Sequence, residues 1–197
     1  MRRLALLAAL AASAAAEERY SYWIEHCTPQ LSRDSGCQAG DPELAEWALH
    51  AWRDASGGAI SLARTTDESR ARIRIYWAPG AMKLYGEAHP IVVDGKRGAA
   101  VYVRPTLGSF GPEIEAAGRN DPLFRHTVVY LTCLHESGHA IGLPHTIEFA
   151  DIMYSFRYGG DIVEYFARYR RKLAKREDIR RNSGISEADR KRASAGL

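Results

Sequence analysis

Cysteine is scarce in this 197-residue chain, which has only three, and beyond the first sixteen residues no apolar run is long enough to span a bilayer. Three thiols allow one disulfide and leave one over, which excludes a scaffold held by several bridges. A membrane span needs about 20 apolar residues, so a polytopic membrane protein is excluded as well. Internal repeats and low-complexity linkers are absent, which rules out solenoids and strings of small modules. Neither sign of charge dominates: 27 Lys or Arg face 24 Asp or Glu, for a net charge of +3.

What is present begins with Arg2 and Arg3, followed by an apolar stretch from Leu4 to Ala16 that only Ser13 interrupts and that ends in three alanines. This is the pattern of a secretory signal peptide, residues 1–16, cleaved after Ala16 and too short for a transmembrane helix. No cysteine follows the cleavage point, so no lipid anchor is expected, and the mature chain is expected to be secreted or periplasmic. Residues 17–197 suit one domain with a sizeable core. In an oxidising compartment, Cys27 and Cys37 are expected to pair across the loop-like segment that carries Thr28-Pro29 and Asp34-Ser35-Gly36. Cys133 is then the odd thiol, expected to be buried.

Periodicity predicts a strand over Arg19–Glu25, then a helix from Asp41-Pro42 to about Ala55 that buries Leu44, Trp47, Ala48, Ala51 and Ala55. Short strands follow at Ala59–Arg64, Arg72–Tyr76, Tyr85–Val93 and Ala99–Arg104, with Asp94-Gly95 as a hairpin signal between the last two. Asp121-Pro122 pairs an oxygen-bearing cap with a proline at the first helical position, which predicts a helix over residues 122–141. An amphipathic helix is expected over 161–176, and Ser186 is expected to cap a short final one.

The stretch His135-Glu-Ser-Gly-His139-Ala-Ile-Gly142-Leu-Pro-His145 carries the chemistry. Residues four apart share one helix face, so His135 and His139 can direct ring nitrogens at one ion, with Glu136 beside them. A third ligand must come from chain that has turned, and Gly142 is the residue type that tolerates the left-handed conformation ending a helix. That turn can bring His145 back. Three protein ligands leave a tetrahedral zinc one open position, the arrangement of a catalytic site. Zinc so held acidifies water and polarises a carbonyl, and Glu136 is the candidate general base, so metal-assisted amide hydrolysis is the expected reaction class.

The pattern H-E-x-x-H-x-x-G-x-x-H resembles that of the metzincin metallopeptidases, which also carry a methionine turn beneath the metal. Asp151-Ile-Met-Tyr154 resembles that turn, with Met153 supporting the site. The short spacing from His145 to Met153, Thr146 after the third histidine and Tyr154 after the methionine look most like the matrixin branch. Ser155 stands where that branch usually has proline, and no tyrosine occupies the position that supplies a fifth ligand in other branches. The resemblance implies one catalytic Zn2+, a peptide or protein substrate, and an α+β zincin-like fold. In that fold a mixed twisted sheet, a long N-terminal helix and the active-site helix make an upper subdomain, about 17–142. A smaller, mostly helical lower subdomain follows, about 143–197. It also implies that substrate lies along an edge strand, by position Gly86, Glu87, Ala88 and His89, with Pro90 suited to an edge because it has no amide hydrogen. His89 itself is expected in solvent.

Neither a structural calcium nor a second zinc is read from the sequence, and both are left open. Among enzymes, the rival is a ligand set with Glu164 third in place of His145. Outside them, it is a non-catalytic peptide- or envelope-binding protein that keeps the fold. From Arg168 onward, eleven Lys or Arg face four Asp or Glu. The expected reading is a solvated basic face, and the alternative is contact with an anionic surface. Nucleic acid is not expected, because aromatics do not interleave this segment past Tyr169.

Overall fold

The computed structural model describes residues 17–79 and 85–195, so the expected signal peptide lies outside the described residues. Among them, five strands and six α-helices form a mixed α+β architecture. The strands β1 (Glu18–Ile24), β2 (Ile60–Arg64), β3 (Ile73–Trp77), β4 (Gly86–Val93) and β5 (Lys96–Val103) make one sheet in the order β2-β1-β3-β5-β4. Neighbours are parallel up to β5, and β4 closes the sheet as an antiparallel edge. Asp94 and Gly95, with φ of 49° and 73°, make the two-residue turn between β4 and β5, so β5 starts at Lys96 and not at Ala99 as expected.

Alternation along the strands sends Tyr20, Tyr22 and Ile24, Ile73, Ile75 and Trp77, and Ala99, Val101 and Val103 into the core. Two helices cover them: α2 (Asp41–Ala55) packs on β1 and β2, α4 (Pro122–Ala140) packs on β4 and β5, and the helices pack on each other. The buried aromatic of α2 is Trp52, whose indole N–H donates to the Leu134 carbonyl at 2.7 Å. Trp47, expected inside, is only half-buried and lies under the Arg176 guanidinium. No helix among the described residues is long and apolar enough to cross a membrane.

Cys27 and Cys37 form a disulfide, and Cys133 is a buried free thiol. The segment between the paired cysteines is not a loop but a helix, α1 (Pro29–Ser35), capped by the Thr28 hydroxyl and ended by Gly36 in the left-handed conformation. A second unforeseen helix, α3 (Pro112–Asn120), starts behind Gly111. Helix α5 (Ile162–Arg170) stops short of residue 176, its end tightening into three-residue turns in which Lys172 N–H bonds the Tyr169 carbonyl at 2.9 Å and Leu173 N–H the Arg170 carbonyl at 3.1 Å. The last helix, α6 (Glu187–Ser194), follows the Ser186 cap as expected. The basic C-terminal segment is only partly a solvated face: Arg170 pairs with Asp121, Arg176 with Glu43, and Arg192 with both Asp151 and Asp189, tying the segment to the body.

Candidate metal centre

Helix α4 carries His135 and His139 one turn apart, and then its chain reverses. Gly142, at a φ of 102°, accomplishes the reversal, while the Leu143 N–H returns to the Gly138 carbonyl at 2.9 Å. The turn delivers His145, whose Nε2 lies 3.1 Å from the Nε2 of both His135 and His139. All three donor atoms fall within 4.8 Å of one another.

Two of the rings have fixed tautomers. The Nδ1–H of His135 donates to the Ile152 carbonyl at 2.7 Å and that of His139 to the Leu143 carbonyl at 2.8 Å, which leaves the Nε2 lone pairs facing inward. Burial, then the neighbouring His139, pushes the His135 imidazole down to about 3. Burial likewise lowers His139 and His145, so all three rings are neutral ligands near pH 7. Three lone pairs at this separation repel unless a cation lies between them. Bonds of about 2.0–2.1 Å in a tetrahedron place imidazole nitrogens about 3.3 Å apart, close to what the chain provides. The triad is therefore built to hold a metal ion.

Beneath it, Met153 is fully buried, and a Cβ on Gly138 would collide with its sulfur, so the glycine in α4 is what admits the methionine turn. The turn is tied to the third ligand by Thr146 N–H to Met153 O at 2.8 Å and Ser155 N–H to Thr146 O at 3.2 Å. It is tied to the C terminus as well. Ile152 N–H donates to the buried Asp189 carboxylate at 2.6 Å, Ser186 Oγ donates to Asp151 at 2.6 Å, and Arg192 clamps both aspartates. Burial alone would raise the Asp151 carboxyl, but the hydrogen bonds from Ser186 and Arg192 outweigh it and hold it below the ordinary range. Sequence reasoning found Ser186 only as a helix start and missed this network, whose partners lie far apart in the chain.

Glu136 is buried beside the histidines and against β4. Burial, then the facing Glu87 carboxylate, pushes its carboxyl up to about 8. A Cβ at Gly86 would come within 2.6 Å of its Cγ and 2.7 Å of its Oε1. Gly86 thus leaves the space that the carboxylate occupies. Replacing Gly86 by Ala is expected to displace Glu136 and lower any activity of the centre at least tenfold, with metal content unchanged. Unaltered turnover in that variant would show that the carboxylate position is not set by the strand.

The centre lies where two clefts meet. One, of about 590 Å³, is lined by Gly86, Glu87, Ala88, His89 and Pro90 of β4 on one side and by Glu136, His139 and His145 on the other. The other, of about 290 Å³, is walled by Tyr85, Phe110, Leu131, Tyr154, Phe156 and Phe166. Edge residues Gly86 to His89 therefore do face the triad across a groove. His89 is exposed, as expected, with its Nε2 2.7 Å from a Glu87 carboxylate oxygen and its ring edge-on to Tyr102.

Glu164, the rival third ligand, sits on α5 in an exposed pair with Arg171 at 2.5 Å and is not part of the converging group. His145→Ala should weaken zinc binding by two orders of magnitude or more in a competitive chelator titration, whereas Glu164→Ala should leave it unchanged. The reverse pattern would overturn the ligand set. Compared with family models and with curated proteins, the sequence finds no match among either.

Proposed function

We propose that this chain is an exported zinc-dependent endopeptidase of the metzincin type, most like the matrixin branch. The observation that carries the reading is the convergence of three neutral Nε2 donors beside a buried carboxylate, at the floor of a groove whose far wall is the edge strand β4. Three borderline-soft imidazoles without a carboxylate ligand suit zinc better than magnesium or calcium.

When bound, zinc would supply a Lewis acid that acidifies water and polarises the scissile carbonyl. His135, His139 and His145 would hold it, and the carbonyls of Ile152 and Leu143 keep two of those rings in the metal-binding tautomer. Glu136, whose carboxyl the charge of the bound cation would draw down from its metal-free value, would take the proton of the attacking water on a carboxylate oxygen and pass it to the leaving amine. Gly86, lacking a Cβ, leaves room for that oxygen at the groove wall. An extended peptide would add a strand along β4, a recognition mode that uses main-chain hydrogen bonds for affinity and alternate side-chain pockets for selectivity. The aromatic-walled cleft would then receive one large apolar side chain next to the scissile bond.

The test is a diverse peptide library offered to the zinc-loaded protein. Cleavage should appear, vanish with a chelator, return with zinc, and favour large apolar side chains at one flanking position. A zinc-loaded, folded protein that cuts no member would sink the reading and leave a peptide- or envelope-binding protein on this fold.

A further inference from the structure

Away from the histidines, α2 and the chain that follows α5 enclose a separate concavity of about 250 Å³ that shares no lining residue with the two clefts at the metal centre. Arg53, Arg180, Arg181 and Arg190 line it, Asp54 is the one carboxylate in its wall, and Trp47 and Tyr130 supply aromatic surface. The arginines reach it from three places in the sequence, so no single helix pattern accounts for their meeting.

Their own pairing is weak. Arg53 touches Asp54 at 2.7 Å with both side chains well exposed, and the nearest carboxylate to Arg190 is Glu187 at 3.9 Å, also exposed. Exposed pairs of this kind contribute little. Arg180 and Arg181 have no carboxylate partner among the described residues, and Arg180 rests 5.8 Å from the centroid of the Trp47 ring. Elsewhere in the basic segment the opposite holds, with Arg170, Arg171, Arg176 and Arg192 each on a carboxylate. Arg180, Arg181 and Arg190 are therefore gathered with Arg53 in one hollow, while Arg168 lies apart over the Phe149 and Tyr165 rings. Four like charges around a small volume raise the local potential and favour an anion inside it. His50 also lines the hollow; burial, then Arg53, holds its imidazole below the ordinary range, so it adds a neutral hydrogen-bonding group and no further charge.

We propose that this hollow binds a tetrahedral oxyanion, phosphate or sulfate, free or as an ester whose organic part lies against Trp47. Guanidinium forks match paired oxygens on such a group. A carboxylate, with two oxygens and one charge, leaves several of the four arginines unanswered, whereas a tetrahedral oxyanion offers three or four oxygens and up to two charges.

The experiment titrates the whole mature protein with inorganic phosphate, inorganic sulfate and a hexose 6-phosphate at ionic strength held constant with chloride, and with a neutral hexose as control. It is read by calorimetry and by the indole N–H resonances of the four tryptophans. Saturable binding of at least one oxyanion is expected, with the Trp47 indole resonance moving most. Joint replacement of Arg180 and Arg181 by Ala should weaken binding about tenfold or more, as loss of charge-assisted bonds implies. Joint replacement of Arg33 and Lys172 by Ala, which removes the same charge elsewhere, should not. Tighter binding of the hexose phosphate assigns an ester, and equal binding assigns the free ion. Absence of saturable binding overturns the proposal. So does equal weakening in the control pair, or a response centred on another tryptophan. None of these readouts depends on peptidase activity or on zinc.

Discussion

Replacing Glu136 by Gln is expected to lower peptide turnover by about 10²–10⁴-fold, the usual contribution of a positioned general base, while about one zinc per chain stays bound. Gln has the shape of Glu, so the space left by Gly86 still accommodates it and the three imidazoles keep their tautomer-fixing carbonyls. The change removes only the ability to accept a proton. Metal analysis and steady-state kinetics on one preparation separate the outcomes. Turnover near the parent rate would end the role given to this carboxylate, and loss of zinc together with activity would make Glu136 a structural residue of the centre.

The second large effect belongs to a residue that touches no substrate. Asp189→Ala should reduce unfolding free energy by about 1–3 kcal/mol, because it leaves the buried Ile152 amide hydrogen without its acceptor, while Arg192, partly exposed, keeps its pair with Asp151. Ile152 is the link to chemistry. Its carbonyl orients His135, and the same peptide also accepts from the Tyr165 hydroxyl at 3.3 Å. A loosened turn should therefore cost about 10–100-fold in zinc affinity as well, the range for lost support of a ligand histidine. Denaturation with chelator present measures the first quantity, and competition against a chromophoric chelator measures the second. Asp189→Asn, which keeps an acceptor for Ile152, should recover part of the affinity. Parent-like zinc affinity in the destabilised Ala variant would confine Asp189 to holding α6.

The histidine triad was legible because local geometry places it: a four-residue step on a helix, then a glycine that reverses the chain. The same is true of α2 and α4, each announced by Asp-Pro, and of the Asp94-Gly95 hairpin. Helix α1 had its signals, Thr28-Pro29 at one end and Gly36 at the other, but they lie between two cysteines and read equally well as a loop. Trp47 and Trp52 both suit an apolar stripe. Only the distant Leu134 carbonyl, waiting for an indole hydrogen, decides which one enters the core. Gly86 is one glycine in a strand until Glu136 is seen to need its missing Cβ. The network of Asp151, Ser186, Asp189 and Arg192 has no period at all, since burial brings its members together. Likewise, nothing in the basic C-terminal run distinguishes the arginines that anchor it from those that gather beside Trp47.

The clamp on the methionine turn orders events in the life of the chain. Synthesis and any threading through a pore release the polypeptide from its amino end, so the imidazoles emerge well before Ser186, Asp189 and Arg192. A nascent molecule at that stage can gather its histidines, but the peptide that steers His135 still lacks its partner on α6. The finished geometry of the metal centre therefore waits for the last helix to dock, and a single cut in the connector near Gly184 would undo it without touching any of the three histidines.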